Sequence, residues 1–142
     1  MKSGACLCGA VRFEVSGELR SPDACHCVQC RKWSGHFFVS TDVPRSALTV
    51  TGLEHVGWFD SSAKVRRGFC RHCGSSLFFD PPARDWIGVA MGAFDGATGT
   101  RTEWHVFAAE KGDYYDIDDG LPCFATLPGN PPGGDAGPAT SN

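Results

Sequence analysis

Short cysteine clusters constrain the fold of this chain more than any other feature of its sequence. Its eight cysteines comprise one isolated residue near the C-terminal end, Cys123, and three clusters. The clusters are Cys6-Leu7-Cys8, Cys25-His26-Cys27-Val28-Gln29-Cys30 and Cys70-Arg71-His72-Cys73. Cysteines spaced this closely are typical of metal sites in a reducing compartment, where disulfides are rare.

The first and third clusters together offer a closed zinc site. Residues i and i+2 of an extended segment point to the same face, so both thiolates of the first cluster can bind one ion. The third cluster is a Cys-x-x-Cys turn followed by Gly74, which lets the chain curl around a metal. These are the four cysteines of what we call the four-cysteine site: Cys6, Cys8, Cys70 and Cys73. Two disulfides are the alternative, and a thioredoxin-like redox pair in the third cluster lacks the expected βαβ context.

The middle cluster supplies three more thiols, here called the cysteine trio: Cys25, Cys27 and Cys30. Three protein ligands and one open position are the usual arrangement of a catalytic zinc. His26 and His36 are alternative fourth ligands, although a side chain flanked by two ligands tends to point away from their shared metal. Arg31 and Lys32 follow directly, and they either favour thiolates and a substrate carboxylate or form a solvated turn.

Length and charge limit the remaining possibilities. A chain of 142 residues predicts one domain. We place it at residues 1–125, with a Pro/Gly-rich disordered tail at 126–142, which has no apolar periodicity. A net charge of −3 argues against a nucleic-acid or anionic-membrane partner. With no apolar run of about 20 residues and no signal peptide in its first residues, the chain is expected to be cytoplasmic.

Short β-like segments separated by turn residues predict an all-β domain. Val11, Phe13 and Val15 alternate with polar residues, which is the period of a half-buried strand. Similar segments are predicted at 37–41, 48–51, 56–59, 64–69, 77–79, 86–91 and 104–108. No window has an apolar stripe long enough for a core helix. The aromatic residues of these segments are predicted to lie mostly in the core.

The cysteine clusters and their flanking residues resemble the glutathione-dependent formaldehyde-activating enzyme family, which also includes centromere protein V. The matching runs in this sequence are Gly4 to Val15, Cys25 to Gly35, Ser61 to Leu77, Val89 to Asp95, Glu103 to Phe107 and Asp118 to Pro122. The resemblance therefore covers roughly residues 4–124. Three cysteine clusters in the same order make it specific.

This resemblance implies a zinc-stapled β-tent, two layers of antiparallel sheet with two zinc ions per chain. The four-cysteine site would hold the structural ion, and the cysteine trio the catalytic ion. The implied activity is that of a carbon–sulfur lyase, which adds a small aldehyde such as formaldehyde to a thiol such as glutathione, giving S-(hydroxymethyl)glutathione. The open position would hold the thiol as thiolate.

Other readings stay open from the sequence. The domain is alternatively a non-catalytic zinc-binding interaction module, in which a side chain such as His36 completes the trio, or a redox-active thiol cluster. His105 is interpreted as a hydrogen-bonded sheet histidine or a site residue, and Cys123 as a small buried apolar residue. The acidic run near the C-terminal end is interpreted as a solvated loop: Asp113, Asp116, Asp118 and Asp119.

Overall fold

The structure is a computed structural model that describes residues 1–128 and is built mainly from β-strands. The strands and the α-helix of the described residues are β1 Lys2–Ala5, β2 Arg12–Val15, β3 Asp23–Cys25, α1 Val28–Ser34, β4 Phe38–Pro44, β5 Leu48–Thr51, β6 Val56–Asp60, β7 Arg66–Cys70, β8 Ser76–Asp80, β9 Trp86–Ala90 and β10 Trp104–Val106. Short 3-10 turns cover Arg45–Ala47, Leu53–His55, Met91–Ala93 and Ala108–Glu110. The predicted all-β class is confirmed.

Two sheets make up the domain. The smaller has the order β1-β2-β5 and the larger the order β10-β3-β4-β9-β8-β7-β6. Every pair is antiparallel except β3 with β10, which run parallel with Trp104 opposite Asp23. The expected antiparallel arrangement is therefore wrong at this one pair. This parallel pair matters for function because β3 ends at Cys25 and β10 contains His105.

The inner faces of the two sheets share one apolar core. Strand β2 alternates exposed and buried residues, as its sequence predicted, and Phe13 packs edge-on against Phe78 of β8 with ring centroids 6.1 Å apart. Gly4 of β1 lies so close to this core that an added Cβ would stand 2.3 Å from the carbonyl oxygen of Ala93. Only glycine fits there, because real Cβ atoms do not approach so closely. The close approach brings β1 against the 3-10 turn that follows β9.

The strand predictions were right for most of the larger sheet and missed the elements with little apolar content. Strand β1 and the three-residue β3 carry no alternating pattern, and helix α1 has one buried residue, Cys30. The last predicted strand ends two residues early, since Phe107 adopts a left-handed conformation at φ 53°. Among residues 1–128, no helix combines the length and apolarity that a bilayer crossing requires.

The C-terminal segment returns to the sheet before the described residues end. The amide of Phe107 donates to the carbonyl oxygen of Thr126 at 2.8 Å, and Leu127 packs against the apolar cluster around the trio. Most of the predicted tail at 126–142 lies outside the described residues, so its boundary stays a prediction.

Candidate metal centres

The four-cysteine site gathers sulfurs from opposite halves of the chain. All four Sγ atoms lie within 4.8 Å of one another. The Cys6–Cys8 separation is 3.6 Å and the Cys8–Cys70 separation is 3.7 Å. A zinc–sulfur bond of about 2.3 Å gives a tetrahedral edge of about 3.8 Å. The spacing of these thiols therefore fits one tetrahedral zinc ion.

Local backbone geometry arranges these sulfurs. The amide of Gly74 donates to the carbonyl oxygen of Cys70 at 2.8 Å, and Gly74 has φ 79°, a conformation that glycine adopts without strain. The amide of Val11 donates to Cys6 Sγ at 3.3 Å, and that of His72 to Cys70 Sγ at 3.4 Å. Amide donors favour the thiolate, which is the form that binds metal, over the thiol.

Ser75 links the two halves of the four-cysteine site, a role that no sequence pattern indicated. Its hydroxyl accepts a hydrogen bond from the amide of Leu7 at 2.9 Å and lies 3.2 Å from Cys73 Sγ. The Ser75 side chain and backbone lower the pKa of Cys73 to about 5. The same residue therefore positions the first cluster and stabilises a thiolate of the third.

The cysteine trio lies where β3 passes into α1. All three side chains are buried, and their sulfurs lie within 4.8 Å of one another. Cys27 caps the helix, since its Sγ accepts a hydrogen bond from the amide of Cys30 at 3.2 Å. Hydrogen bonds from the Cys25 and Cys30 thiols hold the pKa of Cys27 well below its usual value. The N-cap and the first turn of α1 therefore bring the three thiols close together.

Arg67 is a neighbour of the trio that the sequence reasoning missed. It comes from β7 and is 1% exposed. Its Nη1 donates to Cys30 Sγ at 3.6 Å and its Nη2 to Gln29 Oε1 at 3.4 Å. Burial does not alternate along β7, where Arg67 and Gly68 are both buried, so no strand pattern identified Arg67 in advance. Lys32, predicted as a cation for the trio, is exposed to solvent.

The ring of His26 is engaged away from the trio. It is fully buried, with Nε2 2.8 Å from Nδ1 of His105 and Nδ1 hydrogen-bonded to the hydroxyl of Tyr115. His105 Nε2 in turn lies 2.7 Å from Asp119 Oδ2. Both nitrogens of His26 therefore have partners other than a metal, which argues against His26 as the fourth ligand.

The hydrogen bonds from Tyr115 through His26 and His105 to Asp119 all point the same way when both histidine rings are neutral. The Asp119 carboxylate only accepts, so His105 donates from Nε2 and accepts at Nδ1. His26 then donates from Nε2 and accepts the Tyr115 hydroxyl proton at Nδ1. Burial, followed by the nearby charge of His105, lowers the pKa of His26 to about 4. We call this set the histidine relay: Tyr115, His26, His105 and Asp119.

The other predicted site residues fall outside both clusters. His36 is exposed and its ring packs on Phe37 with centroids 4.2 Å apart. His72 is exposed and hydrogen-bonds His55 at 2.9 Å. Cys123 was predicted to be buried and is exposed instead, and it forms an isolated parallel bridge with His105. Among residues 1–128, the two cysteine groups are the ones with metal-ligand geometry.

A cavity of about 290 Å³ opens beside the trio. Its wall includes Trp33 and the 56% exposed Phe59, whose rings are nearly parallel with centroids 6.2 Å apart. Arg67, Gln29 and Lys32 supply its polar lining. Phe59 thus departs from the predicted core role. Arg67 lines the cavity and also contacts Cys30, so its side chain lies between the cavity and the trio.

Comparison with known proteins identifies relatives along most of the chain. The family model described as glutathione-dependent formaldehyde-activating enzyme matches residues 1–110. An uncharacterised lyase of Schizosaccharomyces pombe is 34% identical over 80% of this chain and 83% of its own. A Halomonas elongata protein provisionally named as a glutathione-dependent formaldehyde-activating enzyme is 30% identical over 88% of this chain and 87% of its own. A crystal structure of a Rhodobacter sphaeroides protein superposes with a TM-score of 0.57 and 27% identity, covering 67% of this chain and 89% of that protein.

Proposed function

The chain belongs to the glutathione-dependent formaldehyde-activating enzyme family, and we propose that it is a zinc-dependent carbon–sulfur lyase that joins formaldehyde to a thiol such as glutathione. In the forward direction the thiol sulfur forms a bond to the aldehyde carbon. The carbon–oxygen double bond becomes a single bond, and the thiol proton ends on that oxygen. The product is a hydroxymethyl thioether, and the reverse reaction breaks the same carbon–sulfur bond.

The division of labour between the two cysteine groups is part of this proposal. The four-cysteine site has a full tetrahedral ligand set and suits a structural zinc ion. The cysteine trio has three ligands and suits a second zinc ion with an open position. Zinc held there favours the thiolate form of an added thiol near neutral pH, because coordination favours the deprotonated sulfur.

One observation carries the proposal: Arg67, which contacts Cys30, lines a cavity, while the histidine inside the cluster is engaged elsewhere. Both ring nitrogens of His26 bond to other members of the histidine relay, Tyr115 and His105. Among residues 1–128, the metal-ligand cluster at the trio contains cysteines alone. A fourth ligand therefore has room to come from outside the chain, through the cavity bounded by Trp33 and Phe59. The alternative, a non-catalytic interaction module, would require a fourth protein ligand at the trio.

The residues around the cavity have separate tasks in this scheme. Trp33 and Phe59 provide apolar walls that exclude water from the reacting sulfur. Lys32 lies at the rim and offers a charge to the carboxylate of a thiol such as glutathione. Holding the thiol beside the aldehyde turns a bimolecular encounter into a positioned one, which accelerates the reaction. A reducing compartment such as the cytoplasm suits a protein with clustered free thiols.

Exchange NMR tests the proposal directly. Formaldehyde is mixed with glutathione, cysteine or 2-mercaptoethanol, and the exchange between free and hydroxymethylated thiol is measured with and without the zinc-loaded protein. We expect acceleration with at least one thiol and its loss in Cys27→Ser. If native protein and variant give the same exchange rate with every thiol, the enzyme reading is wrong and the interaction module is favoured.

A further inference from the structure

Arg67 is a fully buried cation placed between the cysteine trio and the cavity. Its guanidinium donates from Nη1 to Cys30 Sγ at 3.6 Å and stands 5.2 Å from the centre of the Phe79 ring. The second nitrogen of the forked guanidinium group, Nη2, donates to Gln29 Oε1 at 3.4 Å. A planar fork held at two points has little freedom to turn away. Its charge is therefore fixed beside the sulfurs.

The charge balance of the trio depends on this cation. A divalent ion with three thiolates has a net charge of −1. A fourth thiolate would change the net charge to −2 inside a buried cluster. Burying uncompensated charge is unfavourable, whereas a neutral fourth ligand adds none. The positive charge of Arg67 brings the net charge of the four-thiolate state back to −1.

We infer that Arg67 stabilises an anionic sulfur ligand at the trio more than it stabilises a neutral ligand. The inference rests on the proposed function, since it assigns the charge class of the molecule that completes the trio. Arg67 acts as a positioning and specificity residue, because it contacts a metal-binding cysteine and borders the path of the incoming thiol. The neighbouring Arg66 has a different role: it points to the other face of β7 and bonds Asp80 Oδ2 at 2.7 Å.

Ligand binding to the cobalt-loaded protein tests this inference without measuring turnover. Cobalt(II) absorption reports coordination, so 2-mercaptoethanol and imidazole can be titrated as the anionic and neutral probes at pH 8. We compare wild type with Arg67→Met, Arg67→Lys and the matched control Arg66→Met. The methionine keeps most of the side-chain volume and removes the charge, while lysine keeps the charge and loses the fork.

Arg67→Met is expected to weaken 2-mercaptoethanol binding at least tenfold, about 1.4 kcal/mol, and to leave imidazole affinity within twofold. Arg67→Lys should recover part of the thiol affinity, and Arg66→Met should match wild type. Equal losses for both probes, or unchanged thiol binding, would overturn the inference while leaving the proposed function intact. Should Arg67→Met fail to fold, Arg67→Gln takes its place, and unchanged thiol affinity in that variant overturns the inference. If wild type binds no added thiol, both the inference and the proposed function fall.

Discussion

His26 and His105 form a direct imidazole–imidazole hydrogen bond, with Nε2 of the first 2.8 Å from Nδ1 of the second. The bond joins the segment between two trio cysteines to the parallel strand β10. His26 is fully buried and both of its ring nitrogens are hydrogen-bonded, so its ring ties the Cys25–Cys27 segment to Tyr115 and to β10. The trio is thus positioned both by its own helix cap and by a polar contact across the sheet.

Replacing His105 by phenylalanine should destabilise the domain by about 1–3 kcal/mol. The ring volume is largely kept, but the buried Nε2–H of His26 loses its acceptor, and an unsatisfied buried donor has a cost of that size. Urea unfolding of the zinc-loaded protein measures the change. The trio should also bind its metal about 10–100-fold more weakly, as expected when a supporting contact behind the ligands is lost.

The control for this variant is Asp119→Ala. The Asp119 side chain is 46% exposed, so water can replace its oxygen as the acceptor for His105. The loss should stay below about 1 kcal/mol. If the two variants unfolded at the same urea concentration, the buried contact between the histidines would not be the stabilising one.

Metal analysis should find two zinc ions per chain in protein purified without chelator. The four-cysteine site and the trio each have sulfurs within 4.8 Å of one another, which suits one ion apiece. Cys27→Ser should retain one ion, held by the four-cysteine site. A content of one in the native protein, unchanged when zinc is added, would argue against metal binding at the trio.

Serine at Cys6 or Cys73 should destabilise the fold far more than serine at Cys27. The four-cysteine site joins the start of the chain to the β7–β8 turn, so its ion closes a long loop. A structural zinc site can contribute on the order of 10 kcal/mol, comparable with the whole stability of a domain at about 5–15 kcal/mol. Thermal melting of the three variants checks this, and equal losses would contradict the assignment of separate roles.

The sequence predicted what depends on local spacing. Alternation along β2 and the Cys-x-x-Cys turn with its glycine are local patterns, so a reader of the sequence can place them. The close grouping of the trio follows equally from six consecutive residues.

Contacts between distant residues were not predictable in the same way. Arg67 of strand β7 reaches Cys30 of helix α1, and Ser75 reaches Leu7 across 68 positions of the chain. His105 was interpreted as a sheet histidine, and it is one, but its partner His26 is 79 positions away. Helix α1 was missed because a seven-residue helix with one buried side chain has no apolar stripe to detect.

Asp23 gives a pH dependence whose sign follows from its surroundings. It lies at the start of β3, where burial and then the charge of Asp42 raise its pKa to about 7 from an ordinary value of 3.8. The folded state therefore keeps a proton between these values that the unfolded state has released. Consequently this residue lowers the free energy of unfolding progressively as pH rises from about 4 to about 7, and the penalty is complete above that.

Asp23→Asn should therefore be more stable than wild type at pH 8, by about 1–2 kcal/mol after allowance for partial exposure. The difference should shrink as pH falls to 5.5, since wild-type Asp23 is then protonated in the fold. Urea unfolding of the zinc-loaded proteins at the two pH values measures it, with the exposed Asp113→Asn as the matched control. A stability difference of the same size at both pH values would show that Asp23 is ionised in the fold. Only a carboxyl that is buried and protonated in the folded state makes the stability difference depend on pH.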